Sequence, residues 1–203
     1  MKYRTILLFG APGAGKGTQG KILGNIPGLF HCACGDVFRS LTMANPISRI
    51  FIEYSQHGKL VPDEPTIELW RQSIESATRS GRFHPETDIL VLDGIPRNIR
   101  QAEILRETLD VQAIFYLHCK DMNKMVHRLQ RRALKENRLD DVNLAVIRNR
   151  LKVYDRETKP LLKFYGRKVV HLIDSTQSPL AVASEILNHL TAATKPRRRS
   201  AKK

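Results

Sequence analysis

A glycine-rich segment near the start of the chain has the residue types and spacing of a phosphate-binding loop. Residues 10–18 read GAPGAGKGT and match G-x-x-x-x-G-K, with Lys16 as the lysine. Glycines let successive backbone N–H groups turn toward an anion, a following helix N-terminus adds its positive dipole end, and the lysine can reach terminal phosphates. A hydroxyl residue usually follows the lysine as a magnesium ligand, but here Gly17 follows it and the hydroxyl comes at Thr18.

A second candidate group lies in the sequence LDGIPR at residues 92–97, directly after an apolar run. Asp93 ends that run, and an aspartate at the end of a strand beside a phosphate loop is well placed for magnesium or its waters. Arg97 follows Pro96, whose fixed backbone angle would aim the guanidinium reproducibly. These residue types predict a carboxylate near a metal and an arginine that clamps a phosphate.

Arginines are unusually dense between residues 128 and 156. The segment contains Arg128, Arg131, Arg132, Arg138, Arg148, Arg150 and Arg156, with Asp140 and Asp141 among them. A solvated helix face would give such a pattern too. Phosphoryl transfer, however, needs several guanidinium groups around the moving charge, and this cluster is the one that can supply them.

The elements that must position these groups alternate between strands and helices. Apolar runs predict strands over 3–9, 89–92, 113–117 and 169–173, and helices over 16–24, 36–43, 63–80, 98–108, 121–135, 141–165 and 179–191. The strands are almost continuously apolar, which is typical of a sheet covered on both faces. The sequence therefore predicts a parallel sheet between helices, with its ligand at the carboxyl ends of the strands.

Composition excludes several classes of protein. The chain has 203 residues, 41% hydrophobic and 27% charged, so collagen-like and fully disordered proteins are excluded and one domain is expected. No run of about 18 apolar residues is present, so we expect no membrane segment and a cytoplasmic location. The three cysteines match neither a disulfide framework nor a four-ligand zinc site, so no structural metal is predicted.

The net charge of +14 is unevenly placed along the chain. The last nine residues, Lys195 to Lys203, hold six positive charges and no acid, so the remainder carries +8. A basic body points to phosphate-bearing partners, either nucleic acid or small phosphorylated molecules. We expect residues 192–203 to be a disordered basic tail that makes at most weak, nonspecific contact with anions or nucleic acid.

Together these motifs resemble the nucleoside monophosphate kinases, and most closely the adenylate kinases with a short lid. The resemblance extends from Tyr3 to about Leu190. Its motifs are GAPGAGKGTQ at 10–19, CGDVFR at 34–39, GKLVPDE at 58–64, LDGIPRNIRQAE at 92–103 and RR-x5-R-x-DD at 131–141. The combination and order of these motifs are specific, and the family also carries glycine at the position of Gly17.

The resemblance implies a fold and an activity. The expected fold is α/β, a P-loop NTPase-like parallel five-stranded sheet with helices on both faces, in a single kinase domain over 1–191. A mobile helical segment over about 36–65 would bind the nucleoside monophosphate, and a short lid over about 132–141 would close over the reactants. The implied enzyme is a monomer that reversibly transfers the terminal phosphoryl group of Mg·ATP to AMP to give two ADP, without zinc.

The resemblance also implies roles for individual residues. The ATP site would consist of Gly13, Ala14, Gly15, Lys16, Gly17, Thr18, Arg132 and Gln177. The AMP site would consist of Cys34, Arg39, Lys59, Leu60, Val61, Gly94, Ile95, Pro96, Arg97, Gln101, Arg138 and Arg150. The catalytic residues would be Lys16, Asp93, Arg97, Arg132, Arg138 and Arg150. Magnesium would arrive with ATP, near Thr18 and waters on Asp93, without a direct protein site, while Asp140 and Asp141 would order the lid arginines.

One departure from the family pattern leaves the acceptor base open. Adenylate kinases usually have Ser-Thr where this chain has Ala33-Cys34, and a thiol is a weaker hydrogen-bonding group than a hydroxyl. A UMP or CMP kinase of the same fold is therefore an alternative, although Gln101 favours adenine. A second alternative is a nucleic-acid-associated nucleotide-binding protein that uses the basic tail.

Overall fold

A parallel sheet forms the centre of the computed structural model, which describes residues 2–136, 138 and 141–194. Within these residues the sheet has five strands: β1 (Tyr3–Phe9), β2 (Leu29–Ala33), β3 (Ile89–Asp93), β4 (Leu109–His118) and β5 (Val170–Asp174). Their order is β2-β3-β1-β4-β5, and each neighbouring pair is parallel. The fold class is α/β with a P-loop NTPase-like sheet, as the sequence predicts.

Helices connect the strands and cover both faces of the sheet. They are α1 (Lys16–Leu23), α2 (Cys34–Arg39), α3 (Pro46–Gln56), α4 (Asp63–Arg79), α5 (Ile99–Leu105), α6 (Met122–Glu136), α7 (Leu144–Val153), α8 (Leu161–Tyr165) and α9 (Pro179–Thr194). Alternate side chains of each strand face opposite ways. In β1, Leu7 packs in a core with α4, whereas Ile6 and Leu8 pack in a second core with α1 and α9.

The structure differs from the predicted elements in several places. The prediction of one helix over 141–165 is wrong, because α7 ends at Val153, a π-helical turn follows over Tyr154–Thr158, and α8 begins only after Pro160. Pro160 has no backbone N–H to continue the preceding helix, which accounts for the break directly before α8. Strand β2 and helix α3 were not among the elements predicted from the apolar runs.

The structure describes the end of the last predicted helix but not all of the predicted tail and lid. Helix α9 continues to Thr194, past the predicted boundary at 191. The residues of the predicted basic tail from Lys195 onward lie outside the described residues, as do Asn137 and Asp140 of the predicted lid. In the part of the chain that is described, no helix combines the length and apolar character needed to cross a membrane.

Candidate active site

A cavity of about 610 Å³ opens at the carboxyl ends of β1 and β3. The two strands are direct neighbours, with Leu8 of β1 in register with Asp93 at the end of β3. The segments that follow them, residues 10–18 and 94–97, therefore lie side by side at one edge of the sheet. Both segments line the cavity, so the two strongest motifs of the sequence meet at one site.

The glycine loop has a conformation that side chains would obstruct. Gly13 has φ +84°, and a Cβ there would lie 2.7 Å from the carbonyl oxygen of Met125 in α6. Gly15 has φ +98° and immediately precedes α1, whose N-terminus therefore points at the cavity. The loop can thus approach α6 closely while its N–H groups turn toward a ligand.

The ammonium of Lys16 lies at the centre of this loop. Its Nζ donates to the carbonyl oxygens of Gly10 at 2.7 Å and Ala11 at 3.2 Å. The pKa of Lys16 is lowered to about 8, mainly by burial; Asp93 opposes this lowering, and the guanidinium groups of the neighbouring arginines add to it. Burial thus disfavours the positive charge of the ammonium, and a bound anion would stabilise it.

Asp93 lies beside the start of α1. A Cβ at Gly17 would be 3.8 Å from a carboxylate oxygen of Asp93, so glycine at this position leaves the approach to the carboxylate open. Thr18 lines the same part of the cavity. A carboxylate and a hydroxyl are oxygen groups of the kind that magnesium and its waters prefer, so these two side chains fit a magnesium ion carried by a nucleotide.

Arg97 and Arg39 also line the cavity. The Nε of Arg97 donates to the carbonyl oxygen of Gly94 at 2.8 Å, which orients the guanidinium. Arg39 pairs with Asp36 at 2.5 Å, and Arg138 reaches the same Asp36 oxygen at 3.4 Å. Burial alone would raise the pKa of Asp36, but the hydrogen bond from Arg39 and the charges around it lower it, so this carboxylate stays charged.

A buried carboxylate holds two of the arginines, Arg132 and Arg150. Asp141 has no exposed side-chain surface, and it accepts a hydrogen bond from the Nε of Arg132 at 2.7 Å. The second oxygen of Asp141 pairs with the guanidinium of Arg150. One carboxylate therefore fixes two guanidinium groups at neighbouring positions of the cavity wall.

The cavity wall has a large excess of positive charge. Among the described residues, eleven cationic side chains line the cavity, against the three carboxylates of Asp36, Asp93 and Glu136. The cationic residues are Lys16, Lys21, Arg39, Lys59, Arg97, Arg128, Arg131, Arg132, Lys135, Arg138 and Arg150. So many like charges around one cavity are suited to a ligand with several phosphates.

Most of the residues predicted from the sequence line this one cavity. On the ATP side these are Gly13, Ala14, Gly15, Lys16, Gly17, Thr18, Arg132 and Gln177, and on the AMP side Arg39, Lys59, Leu60, Val61, Gly94, Pro96, Arg97, Arg138 and Arg150. Asp93 lines it as well.

Three predicted AMP-site residues lie behind the cavity wall. Cys34, Ile95 and Gln101 are 2%, 1% and 1% exposed. The amide of Gln101 accepts from the N–H of Arg97 at 2.7 Å and donates to Asp63 at 2.8 Å. In this conformation the Gln101 side chain is engaged within the protein rather than turned toward the cavity.

Several other lining residues are absent from the roles that the family resemblance implies. Arg128 lies near the Gln177 end of the cavity, where its guanidinium donates to the carbonyl oxygen of Ser175 at 3.0 Å. It precedes Arg132 by four residues on α6, and this helical spacing was the available signal. Asp36 and Thr158 also line the cavity, and nothing in the residue pattern alone distinguished them.

Comparison with known proteins supports one family. A family model described as adenylate kinase matches residues 8–170. The chain is 36% identical to the adenylate kinase of a Cyanothece species, over 89% of this chain and 92% of the relative. It is 34% identical to that of Corynebacterium urealyticum, over 82% and 88%, and 32% identical to that of Clostridium novyi, over 91% and 97%.

The lowered pKa of Lys16 predicts proton uptake when a polyphosphate binds. Above pH 8 a large part of Lys16 is neutral in the free protein, and phosphates raise its pKa, so binding of ATP recruits a proton and weakens as pH rises from 7 to 9. At pH 8.5 the contribution of Lys16 should be about 0.5–1 proton per site, measured by titration calorimetry in buffers of different ionisation enthalpy.

The matched control for this measurement is Lys16→Arg, because a guanidinium stays charged over the whole range. Proton uptake at pH 8.5 should fall in this variant by the contribution of Lys16. Equal uptake by the variant and the unaltered protein would show that Lys16 is already fully protonated and that its pKa is not depressed.

Proposed function

The chain belongs to the adenylate kinase family and is a phosphotransferase, and we propose that it transfers the terminal phosphoryl group of Mg·ATP to AMP, giving two ADP in a reversible reaction. The observation that carries this proposal is the convergence of Lys16, Arg97, Arg132 and Arg150 on one cavity, all four of which line its wall. Such a group of cations is suited to the charge that spreads over a transferring phosphoryl group.

In the proposed reaction the two nucleotides occupy this one cavity with their phosphates adjacent. The glycine loop and Arg132 would hold the ATP phosphates at one end, and Arg39 and Arg97 would hold the AMP phosphate at the other. Arg138 and Arg150 line the same cavity and would contact the group in transfer. Fixing both phosphates in line supplies much of the rate enhancement, because a reaction between two molecules becomes one within a complex.

The chemistry requires no covalent intermediate on the protein. The AMP phosphate is an anion near neutral pH and attacks directly, so no side chain has to remove a proton from it. Lys16 and the arginines neutralise charge as it moves, and the closed cavity keeps water from accepting the phosphoryl group. Magnesium bound to ATP supplies further charge neutralisation, with Thr18 and Asp93 as the residues that would hold it or its waters.

Two segments are proposed to move during the reaction. Residues 36–65 would close over AMP, and residues 132–141 would close over the phosphates. Both segments carry charged groups that have to come over the substrates once these are bound. Action as a monomer in the cytoplasm stays a prediction from the family resemblance.

The direct test is an ADP-formation assay with Mg·ATP and a panel of acceptors: AMP, dAMP, CMP, UMP and GMP, each with and without EDTA. We expect AMP-dependent turnover that EDTA abolishes, because the phosphate charges need magnesium. Turnover with CMP or UMP in preference to AMP would instead make the chain a pyrimidine nucleotide kinase of the same fold. No turnover with any acceptor would overturn the proposed function.

Replacement of Lys16 by methionine should lower kcat by about 10²–10³-fold, because it removes a charge that acts mainly as the transition state forms. Lys163→Met is the matched control, since Lys163 is exposed on α8 and lies outside the cavity lining. Steady-state kinetics and circular dichroism of both variants separate lost chemistry from lost fold. A Lys16→Met enzyme as active as the control would remove this lysine from the mechanism.

A pyrimidine nucleotide kinase is the second candidate function, and it differs from the first only in the base of the acceptor nucleotide. Burial raises the pKa of the Cys34 thiol to about 11, so it is neutral at physiological pH and a poor hydrogen-bonding partner. It lies against the Gly94 turn, where a Cβ on Gly94 would be 3.9 Å from that of Cys34.

If Cys34 contributes to the base pocket, Cys34→Thr should raise the AMP-to-CMP ratio of kcat/KM about fivefold, the value of one ordinary hydrogen bond. Cys32→Thr, two residues earlier on β2, is the control, because Cys32 is buried in the core away from the cavity lining. A ratio that changes less than twofold in Cys34→Thr would exclude this side chain from base selection.

A further inference from the structure

Both main-chain polar groups of Arg97 are held by side chains. Its N–H donates to the amide oxygen of Gln101 at 2.7 Å, and its carbonyl oxygen accepts from the hydroxyl of Thr158 at 2.7 Å. Its Nε is in addition bonded to the carbonyl of Gly94. The backbone of the residue proposed to grip the AMP phosphate is thus fixed from two sides, and the turn that carries it has little freedom.

The hydroxyl of Thr158 reaches this carbonyl because the helix containing it changes its winding. Thr158 is the last residue of the π-helical turn after α7, and the N–H of Lys159 bonds back to the carbonyl of Tyr154 at 2.9 Å. A π turn contains one more residue than an α turn, so it rotates the residues that follow by about 100° relative to a continuous helix. This local irregularity turns Thr158 toward the cavity.

The same helical segment carries a second arginine of the site. Arg150 lies on α7, two turns before Thr158, and pairs with Asp141 at the lid end of the cavity. The bond from Thr158 to Arg97 therefore joins the segment that holds Arg150 to the loop that holds Arg97. Thr158, Arg97 and Arg150 all line the cavity.

From these contacts we infer that Thr158 is a positioning residue: its hydroxyl fixes the Arg97 turn relative to α7, so that the Arg97 guanidinium is preset for the AMP phosphate. This inference rests on the proposed function, because it assigns Thr158 an effect on the AMP side of that reaction. Thr158 touches no reacting atom, and it acts through Arg97. The effect should therefore appear in AMP binding and leave ATP binding unchanged.

The test compares Thr158→Val, which keeps the shape and removes the hydroxyl, with Thr158→Ser, which keeps the hydroxyl. Thr78→Val is the control, because the Thr78 hydroxyl also donates to a backbone carbonyl, that of Ile74 at 3.0 Å, on the exposed side of α4. Initial rates of ADP formation give KM for AMP and KM for ATP separately. Thermal unfolding of each variant reports whether the fold is retained.

We expect Thr158→Val to raise KM for AMP about fivefold, the effect of losing one neutral hydrogen bond, with KM for ATP within twofold of the unaltered enzyme. Thr158→Ser should restore KM for AMP to within twofold, and Thr78→Val should change neither constant. An unchanged KM for AMP in Thr158→Val would overturn the inference. Equal increases in both KM values that serine does not rescue would also overturn it, since they indicate a merely structural residue.

A second arm tests whether the effect passes through Arg97. In an Arg97→Ala background, the further change Thr158→Val should alter KM for AMP by less than twofold, because the residue that it positions is gone. A full fivefold increase in that background would show that Thr158 acts independently of Arg97 and would overturn the inference. Failure of the proposed function is distinguishable, since it would appear as absence of AMP-dependent ADP formation by the unaltered protein.

Discussion

The buried carboxylate of Asp141 makes the crowded positive wall of the cavity possible. Arg132 and Arg150 would repel each other at close range, but each pairs with a different oxygen of this one carboxylate. Breaking such a buried arrangement by removing one partner usually costs about 3–5 kcal/mol, because the remaining charges are left uncompensated. A single acid therefore supports two cations, and the site retains a net positive charge for phosphates.

Other contacts connect the segments that are proposed to move with each other and with α7. Asp36, in the segment proposed to bind AMP, pairs with Arg138 of the lid at 3.4 Å. At the end of α3, Gly58 fits closely against α7, where a Cβ would lie 2.9 Å from the carbonyl oxygen of Val146, and Asn149 donates to the carbonyl of His57 at 2.6 Å. Polar contacts at a surface contribute little energy each. A segment attached in this way can separate from α7 and return at small cost, as substrate entry requires.

Features formed by consecutive residues could be predicted from the sequence, whereas contacts between residues far apart in the chain could not. The glycine loop and the Asp93–Arg97 segment were recognised because their chemistry is contained in a few consecutive residues after an apolar strand. Thr158 was missed because its role depends on a π turn and on a carbonyl 61 residues away along the chain. The family resemblance implies that Gln101 contacts the AMP base, but its amide here bonds Arg97 and Asp63. These partners are set by the fold and could not be predicted from the sequence.

The distribution of charge distinguishes the kinase from a protein that binds nucleic acid through its folded surface. Without the six charges of Lys195–Lys203 the chain carries +8, and the eleven cations and three carboxylates of the cavity wall give an excess of the same size. Positive and negative residues are therefore equal in number over the rest of the chain. Nucleic-acid binding depends on an uncompensated basic surface that follows the phosphate backbone. The excess charge is instead concentrated around a cavity of about 610 Å³, a distribution suited to small phosphorylated ligands.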